Sequence, residues 1–203
     1  MNKDQKKAKQ VAKHKKKRTS AKNKRNIKIN TTKKEWAKQL DEFKRIQDIA
    51  EEVEKTEKLK IIEDVNRLRD KSKLVEKIDK EFLEKMAATL LSSKNAIGLS
   101  AIQVGRLEQY SIIWWNGEII AMINPTIVGI GTERDVMEEG CLSLPEKKVS
   151  ISRPTEVSVT YMDQDGEMIE DFKTEGLLAR AIQHELDHLE GKLIVDHFQL
   201  DGK

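Results

Sequence analysis

The sequence predicts an α+β fold in which small antiparallel or mixed sheets pack around a central helix, preceded by a basic N-terminal extension that is partly helical and partly disordered. Three observations lead there. Apolar residues recur at helical spacing in three stretches: Trp36 to Val53, Val75 to Leu90, and Leu177 to Leu189. Between the second and third stretches the spacing changes, and strand-like runs are punctuated by Asn116-Gly117 and Asp165-Gly166, dipeptides suited to tight turns. The charge is also lopsided: residues 1–34 hold fifteen Lys and Arg against the single acid Asp4, a local +14 in a chain of net +3, which leaves −11 on residues 35–203.

Taken in order, residues 1–34 form a basic tail with too few apolar side chains to offset the entropy of ordering it, and disorder is expected there. Thr32-Lys33-Lys34-Glu35 has the form of a capping box, so an amphipathic helix is expected over residues 35–58, with Trp36, Leu40, Phe43, Ile46, Ala50 and Val53 on one face. Residues 59–203 form the main domain. After the polar stretch Asp70 to Lys73, a second helix takes Val75, Ile78, Phe82, Met86 and Leu90 as its apolar stripe and stops near Ser92-Ser93-Lys94-Asn95. Ser111 to Trp115 and Glu118 to Met122 flank Asn116-Gly117 as a hairpin, and Val157, Val159 and Tyr161 alternate with polar residues ahead of Asp165-Gly166. The last helix carries Leu177, Leu178, Ala181, Ile182 and Leu189 on its buried side.

Composition excludes several classes. At 203 residues, 37% hydrophobic and 36% charged, the chain is sized for one domain with an appendage. No apolar run approaches a membrane span, the N-terminus lacks the apolar stretch of a secretory signal, and its Lys-rich, Ser-poor make-up is unlike a transit peptide. Cys141 is the single cysteine, so no intramolecular disulfide forms. A cytoplasmic protein without a membrane partner is expected.

The last helix contains His184-Glu185-Leu186-Asp187-His188. Histidines at i and i+4 stand on adjacent turns of one face and can offer nitrogens to one metal ion, with a carboxylate beside them for proton transfer. Two ligands do not hold an ion, so a third is required. The extended zinc-peptidase pattern fails here, because Ile194 stands where its last histidine would be, and 15 residues after His188 leave little room for a downstream glutamate. Upstream, Cys141 lies in Glu139-Gly140-Cys141-Leu142-Ser143-Leu144-Pro145, where a thiolate could complete the set. A third segment of small and apolar residues, Ile97-Gly98-Leu99-Ser100-Ala101-Ile102-Gln103, ends in a neutral amide.

Together these segments resemble the peptide deformylase family, over about Leu68 to Phe198. The family's Gly-φ-Gly-φ-Ala-Ala-x-Gln segment is matched by Ala96 to Gln103, with Ala96 and Ser100 departing from it; Glu139 to Ser143 and Gln183 to His188 match their segments fully. The resemblance implies a central metal-binding helix, with Cys141, His184 and His188 as ligands of one divalent ion. Fe2+ is the family's ion, and Zn2+, Ni2+ or Co2+ can replace it. It further implies Glu185 as the proton-transfer group, with the Gln103 amide and the Leu142 backbone N–H as donors to the developing oxyanion. Ile97, Met137, Leu177 and Ala181 are implied as walls of a methionine pocket, and the backbone at Gly98 as a partner of the extended peptide. Glu139 is expected to support the site, paired with Lys148 or Arg153. The implied reaction removes the formyl group from the N-terminal formyl-methionine of nascent chains, releasing formate.

The sequence ends five residues after Phe198, which implies that the C-terminal helix used by many bacterial members to dock on the ribosome is missing. The tail around Lys13-His14-Lys15-Lys16-Lys17-Arg18 could serve instead, by attracting ribosomal RNA phosphates. Two alternatives stand beside this reading: a zinc metallopeptidase using the same helix, and a noncatalytic ribosome- or RNA-binding protein on this scaffold.

Overall fold

A computed structural model describes residue 38, residues 44 and 45, and residues 47–197. The basic tail, the expected capping box and residues 198–203 lie outside these. The chain divides into two units at Glu51 and Glu52. In the first, every described residue is helical; the second opens with helical residues as far as Lys55 and contains all that follows.

Helix α1 spans Lys80–Ser92, and its start is set by Asp79, whose side chain accepts the Phe82 N–H at 3.0 Å. The apolar stripe alone predicted a start near Val75. That residue is instead held off the helix by Asn124, whose side-chain amide bonds both the Val75 N–H (2.8 Å) and its carbonyl (3.0 Å). With both backbone groups satisfied by a side chain, Val75 has no need of helical partners.

The strands are β1 (Gly98–Ser100), β2 (Tyr110–Trp115), β3 (Glu118–Ile130), β4 (Arg134–Cys141), β5 (Leu144–Pro154), β6 (Glu156–Met162) and β7 (Met168–Glu175). Five form an antiparallel sheet in the order β1-β2-β3-β6-β7, while β4 and β5 make a separate hairpin. The expected turn between β2 and β3 is present, with Asn116 and Gly117 at φ 50° and 83°. The charged β4–β5 hairpin was not individually legible. Helix α2 spans Gly176–Leu189, and a short α3, Ile194–His197, follows it.

Alternation along β2 and β3 explains how the sheet is covered on both faces. Tyr110, Ile112, Ala121 and Ile123 pack with Leu83, Met86 and Leu90 of α1. The intervening Ile113 and Met122 join Val157 and Val159 of β6 against Leu178, Ala179 and Ile182 of α2. A strand buried on both sides reads as a continuous apolar run, which is what Ile112 to Trp115 shows. The sheet thus fixes the position of α2, while β1, at the sheet's edge, lies beside that helix. The turn after α2 needs Gly191: its φ is 72°, and a Cβ there would lie 2.3 Å from the Arg69 carbonyl oxygen.

Candidate metal centre and substrate cleft

Helix α2 buries Glu185 and His188 against the sheet and leaves His184 at the base of a cleft, because residues at i, i+1 and i+4 share the inward side of the helix. The β4–β5 hairpin delivers Cys141 from the other direction, at the irregularity in pairing between Gly140 and Cys141. The ligand atoms of Cys141, His184 and His188 lie within 4.8 Å of one another. Cys141 Sγ is 3.2 Å from His188 Nε2. This donor set suits an ion whose bonds run about 2.0–2.3 Å, one thiolate and two imidazoles leaving a position for substrate.

The two histidines differ in their electrostatic surroundings. Burial opposes charge on His184, but hydrogen bonds with Cys141 and Glu139 push its pKa up to about 10. Burial and the neighbouring His184 push that of His188 down to about 3, leaving it neutral, the form in which imidazole binds metal.

A buried ionic network fixes these groups. Glu139, 7% exposed, accepts hydrogen bonds from Arg153 Nε (2.7 Å) and Nη2 (3.0 Å) and from Arg180 Nη1 (2.5 Å), and its Oε2 lies 2.9 Å from His184 Nδ1. Burial would raise its pKa, yet His184 and Arg153 hold the carboxyl well below the usual range. Of the two expected partners it takes Arg153; Lys148 faces Glu138 instead, at 3.7 Å. Arg153 also reaches Asp187 (2.7 Å), which is 2.8 Å from His197 Nε2. Such outer contacts orient a ligating histidine through its second nitrogen.

Glu185 is 4% exposed, and burial pushes its carboxyl up. The Ser100 hydroxyl reaches its Oε2 at 2.8 Å and its backbone oxygen at 2.9 Å. A Cβ on Gly98 would fall 2.3 Å from Glu185 Oε1, so the glycine makes room for this carboxylate as well as lining the cleft. Gln103 sits on a 3-10 turn, Ala101–Val104, directly after β1; its Oε1 accepts the Ser100 N–H (2.8 Å), which aims Nε2 at Cys141 Sγ and Ser143 Oγ, both 3.4 Å away.

The cleft holds about 500 Å³. Ile97, Gly98, Gln103, Met137, Cys141, Leu142, Leu177, Ala181 and His184 all line it, so the structure brings together the cleft residues expected from sequence, while Glu185 and His188 lie beneath them. Met137 and Leu177 are 41% and 43% exposed, apolar side chains held open to solvent at the rim. The sequence reading missed the Ser100–Glu185 bond and the roles of Arg180, Asp187 and His197. Ser100 had one available signal, a hydroxyl where the related pattern has alanine.

The sequence profile of the polypeptide deformylase family matches residues 56–203. The peptide deformylase of Rhodopseudomonas palustris (strain BisA53) is 45% identical over 108 residues, 50% of this chain and 59% of that protein. That of Rickettsia typhi is 38% identical over 128 residues, 58% of this chain and 72% of its own length. The crystal structure of the Thermotoga maritima peptide deformylase superposes with a TM-score of 0.65 at 39% identity, covering 69% of this chain and 97% of that one. The match thus takes in the cleft, the hairpin and the helix that carries the histidines, and this chain belongs to the polypeptide deformylase family, metal-dependent enzymes that remove the formyl group from the N-termini of nascent polypeptides.

Proposed function

We propose that this chain is a working deformylase in which Cys141, His184 and His188 hold one divalent ion, and that formyl-methionyl peptides enter along β1. The convergence of those three ligand atoms within 4.8 Å at the base of a cleft carries the proposal. When bound, the ion polarises the formyl group and makes water nucleophilic at neutral pH. The remaining work falls to the chain's own residues. Glu185 accepts the proton of the attacking water and returns it to the amine as the C–N bond breaks; its burial and raised pKa suit a group that must do both. Charge developing on the formyl oxygen is met by the Gln103 amide and the Leu142 backbone N–H. Ile97, Met137, Leu177 and Ala181 receive the methionine side chain, and β1, the edge strand among the described residues, pairs at Gly98 with the peptide backbone.

Family resemblance favours Fe2+, and the donor set also accommodates Zn2+, Ni2+ or Co2+. We place the enzyme in the cytoplasm, where a lone thiol stays reduced; among the described residues no helix is long and apolar enough to cross a membrane. The +14 carried by residues 1–34 supports ribosomal RNA as a further partner. Equal co-sedimentation with ribosomes, with and without that stretch, would remove this last element.

The test is formate release from a formyl-methionyl peptide by metal-loaded protein, abolished by Glu185→Ala. Cleavage of internal peptide bonds without formate release would turn the reading towards a metallopeptidase, and neither activity would leave only a binding role.

A further inference from the structure

Three lysines stand on the walls of the cleft, and the reaction just described uses none of them. Lys94 lies where the chain turns from α1 towards β1, beside Asn95 at φ 62°, and flanks the wall that contains Ile97 and Gly98. Lys147 and Lys148 stand on β5, on the wall that contains Cys141 and Leu142. Lys148 is the cross-strand partner of Gly140, and its stem lies along that residue: a Cβ on Gly140 would meet Lys148 Cδ and Cε at 3.4 Å and Nζ at 3.6 Å. Its ammonium is therefore positioned by packing as well as by charge.

The opposing carboxylates are few. Glu138 is spanned by Lys148 at 3.7 Å, and Glu139 is committed to Arg153, Arg180 and His184. Among the described residues neither Lys94 nor Lys147 has an ion-pair partner. This cationic rim runs against the −11 carried by residues 35–203. Lys94, Lys147, Lys148 and Arg180 outnumber the lining carboxylates Glu138 and Glu139, and a cleft with low-dielectric walls and an excess of one sign of charge concentrates ligands of the other sign.

We infer that this rim selects formyl-methionyl peptides with acidic side chains at the positions just after the methionine. The inference rests on the deformylase reading and deepens it. With the formyl group at Cys141 and Gln103 and the methionine against Ile97 and Leu177, the following residues leave the cleft between the two walls, and carboxylates there meet Lys94 from one side and Lys147 and Lys148 from the other. Because these contacts persist from ground state to transition state, the preference belongs in KM.

The experiment uses the full, metal-loaded chain and three peptides, formyl-Met followed by two Glu, two Gln or two Lys, at about 20 mM and about 300 mM salt. Formate release should rank Glu above Gln above Lys in kcat/KM, with a Glu-to-Lys ratio on the order of tenfold at low salt that contracts towards twofold at high salt. Replacing all three lysines (Lys94→Gln, Lys147→Gln, Lys148→Gln), with the fold checked by circular dichroism, should collapse the ranking. A Glu-to-Lys ratio within twofold at low salt, or an unchanged ranking in the folded triple variant, overturns the preference while leaving the deformylase intact. No formate from any of the three peptides overturns the deformylase reading and the preference with it.

Discussion

Oε2 of Glu139 lies 2.9 Å from Nδ1 of His184, so a carboxylate from the β4–β5 hairpin holds a histidine on α2 through one ring nitrogen. The same carboxylate neutralises Arg153 and Arg180, which are each 4% exposed. Glu139→Gln should therefore act twice. Loss of charge beside a ligating imidazole should weaken metal binding about 10- to 100-fold, read by competition with a chelator. Stability should drop by about 3 kcal/mol, the low end for breaking a buried pair, because Arg153 keeps Asp187 and Arg180 keeps Asp135. Unchanged chelator competition would show that Glu139 serves the fold alone.

The hydroxyl of Ser100 gives Glu185 a buried donor at 2.8 Å and is itself 3.1 Å from the Ser111 hydroxyl. Hydrogen bonds to charged groups contribute about 1.5–3 kcal/mol. Ser100→Ala removes this bond with almost no change in volume, and kcat on a formyl-methionyl peptide should fall on the order of tenfold to a hundredfold while KM stays within about twofold. Equal loss in KM would mean that Ser100 shapes the cleft rather than holding Glu185.

What the sequence disclosed and what it withheld divide along physical lines. His184 and His188 were legible because helical periodicity alone puts them on one face, and the turn at Asn116-Gly117 because only certain residues adopt positive φ at little cost. Ser100 and Glu185 are 85 positions apart, and no local pattern announces such a contact. The β4–β5 hairpin was hidden for another reason. Glu138, Glu146, Lys147 and Lys148 are all exposed, and a two-stranded hairpin outside the main sheet has no strictly alternating face to reveal it. The start of α1 was misplaced because Val75 continues the apolar spacing while its backbone belongs to Asn124.

Asp79 caps α1 and also accepts from Arg106 Nη1 at 2.7 Å. The Arg106 bond, then the Phe82 N–H, hold its carboxyl below the ordinary 3.8. A folded-state pKa below the unfolded one gives stability that is present above pH 3.8 and is lost as pH falls through the folded value. Asp79→Ala should thus destabilise by about 1 kcal/mol at neutral pH. Denaturant midpoints of the two proteins should converge in strong acid. A gap that widened as pH fell would contradict the ionised cap.

Gly98 offers the sharpest separation between two roles for one residue. Its backbone lies on β1, the edge strand of the sheet among the described residues, where a peptide is expected to pair, yet a Cβ there would meet Glu185 Oε1 at 2.3 Å, Cγ at 2.7 Å and Cδ at 2.8 Å. The Ser100 hydroxyl holds Oε2 at 2.8 Å, so a carboxylate pushed aside to make room would strain that bond. A misplacement of about 1 Å in a reacting group can lower the rate about a hundredfold. Gly98→Ala should accordingly lower kcat by about that factor, with bound metal retained because Cys141, His184 and His188 are untouched. If the glycine serves chiefly to admit substrate, the loss will appear in KM with kcat preserved, and the steric role assigned to Glu185 falls.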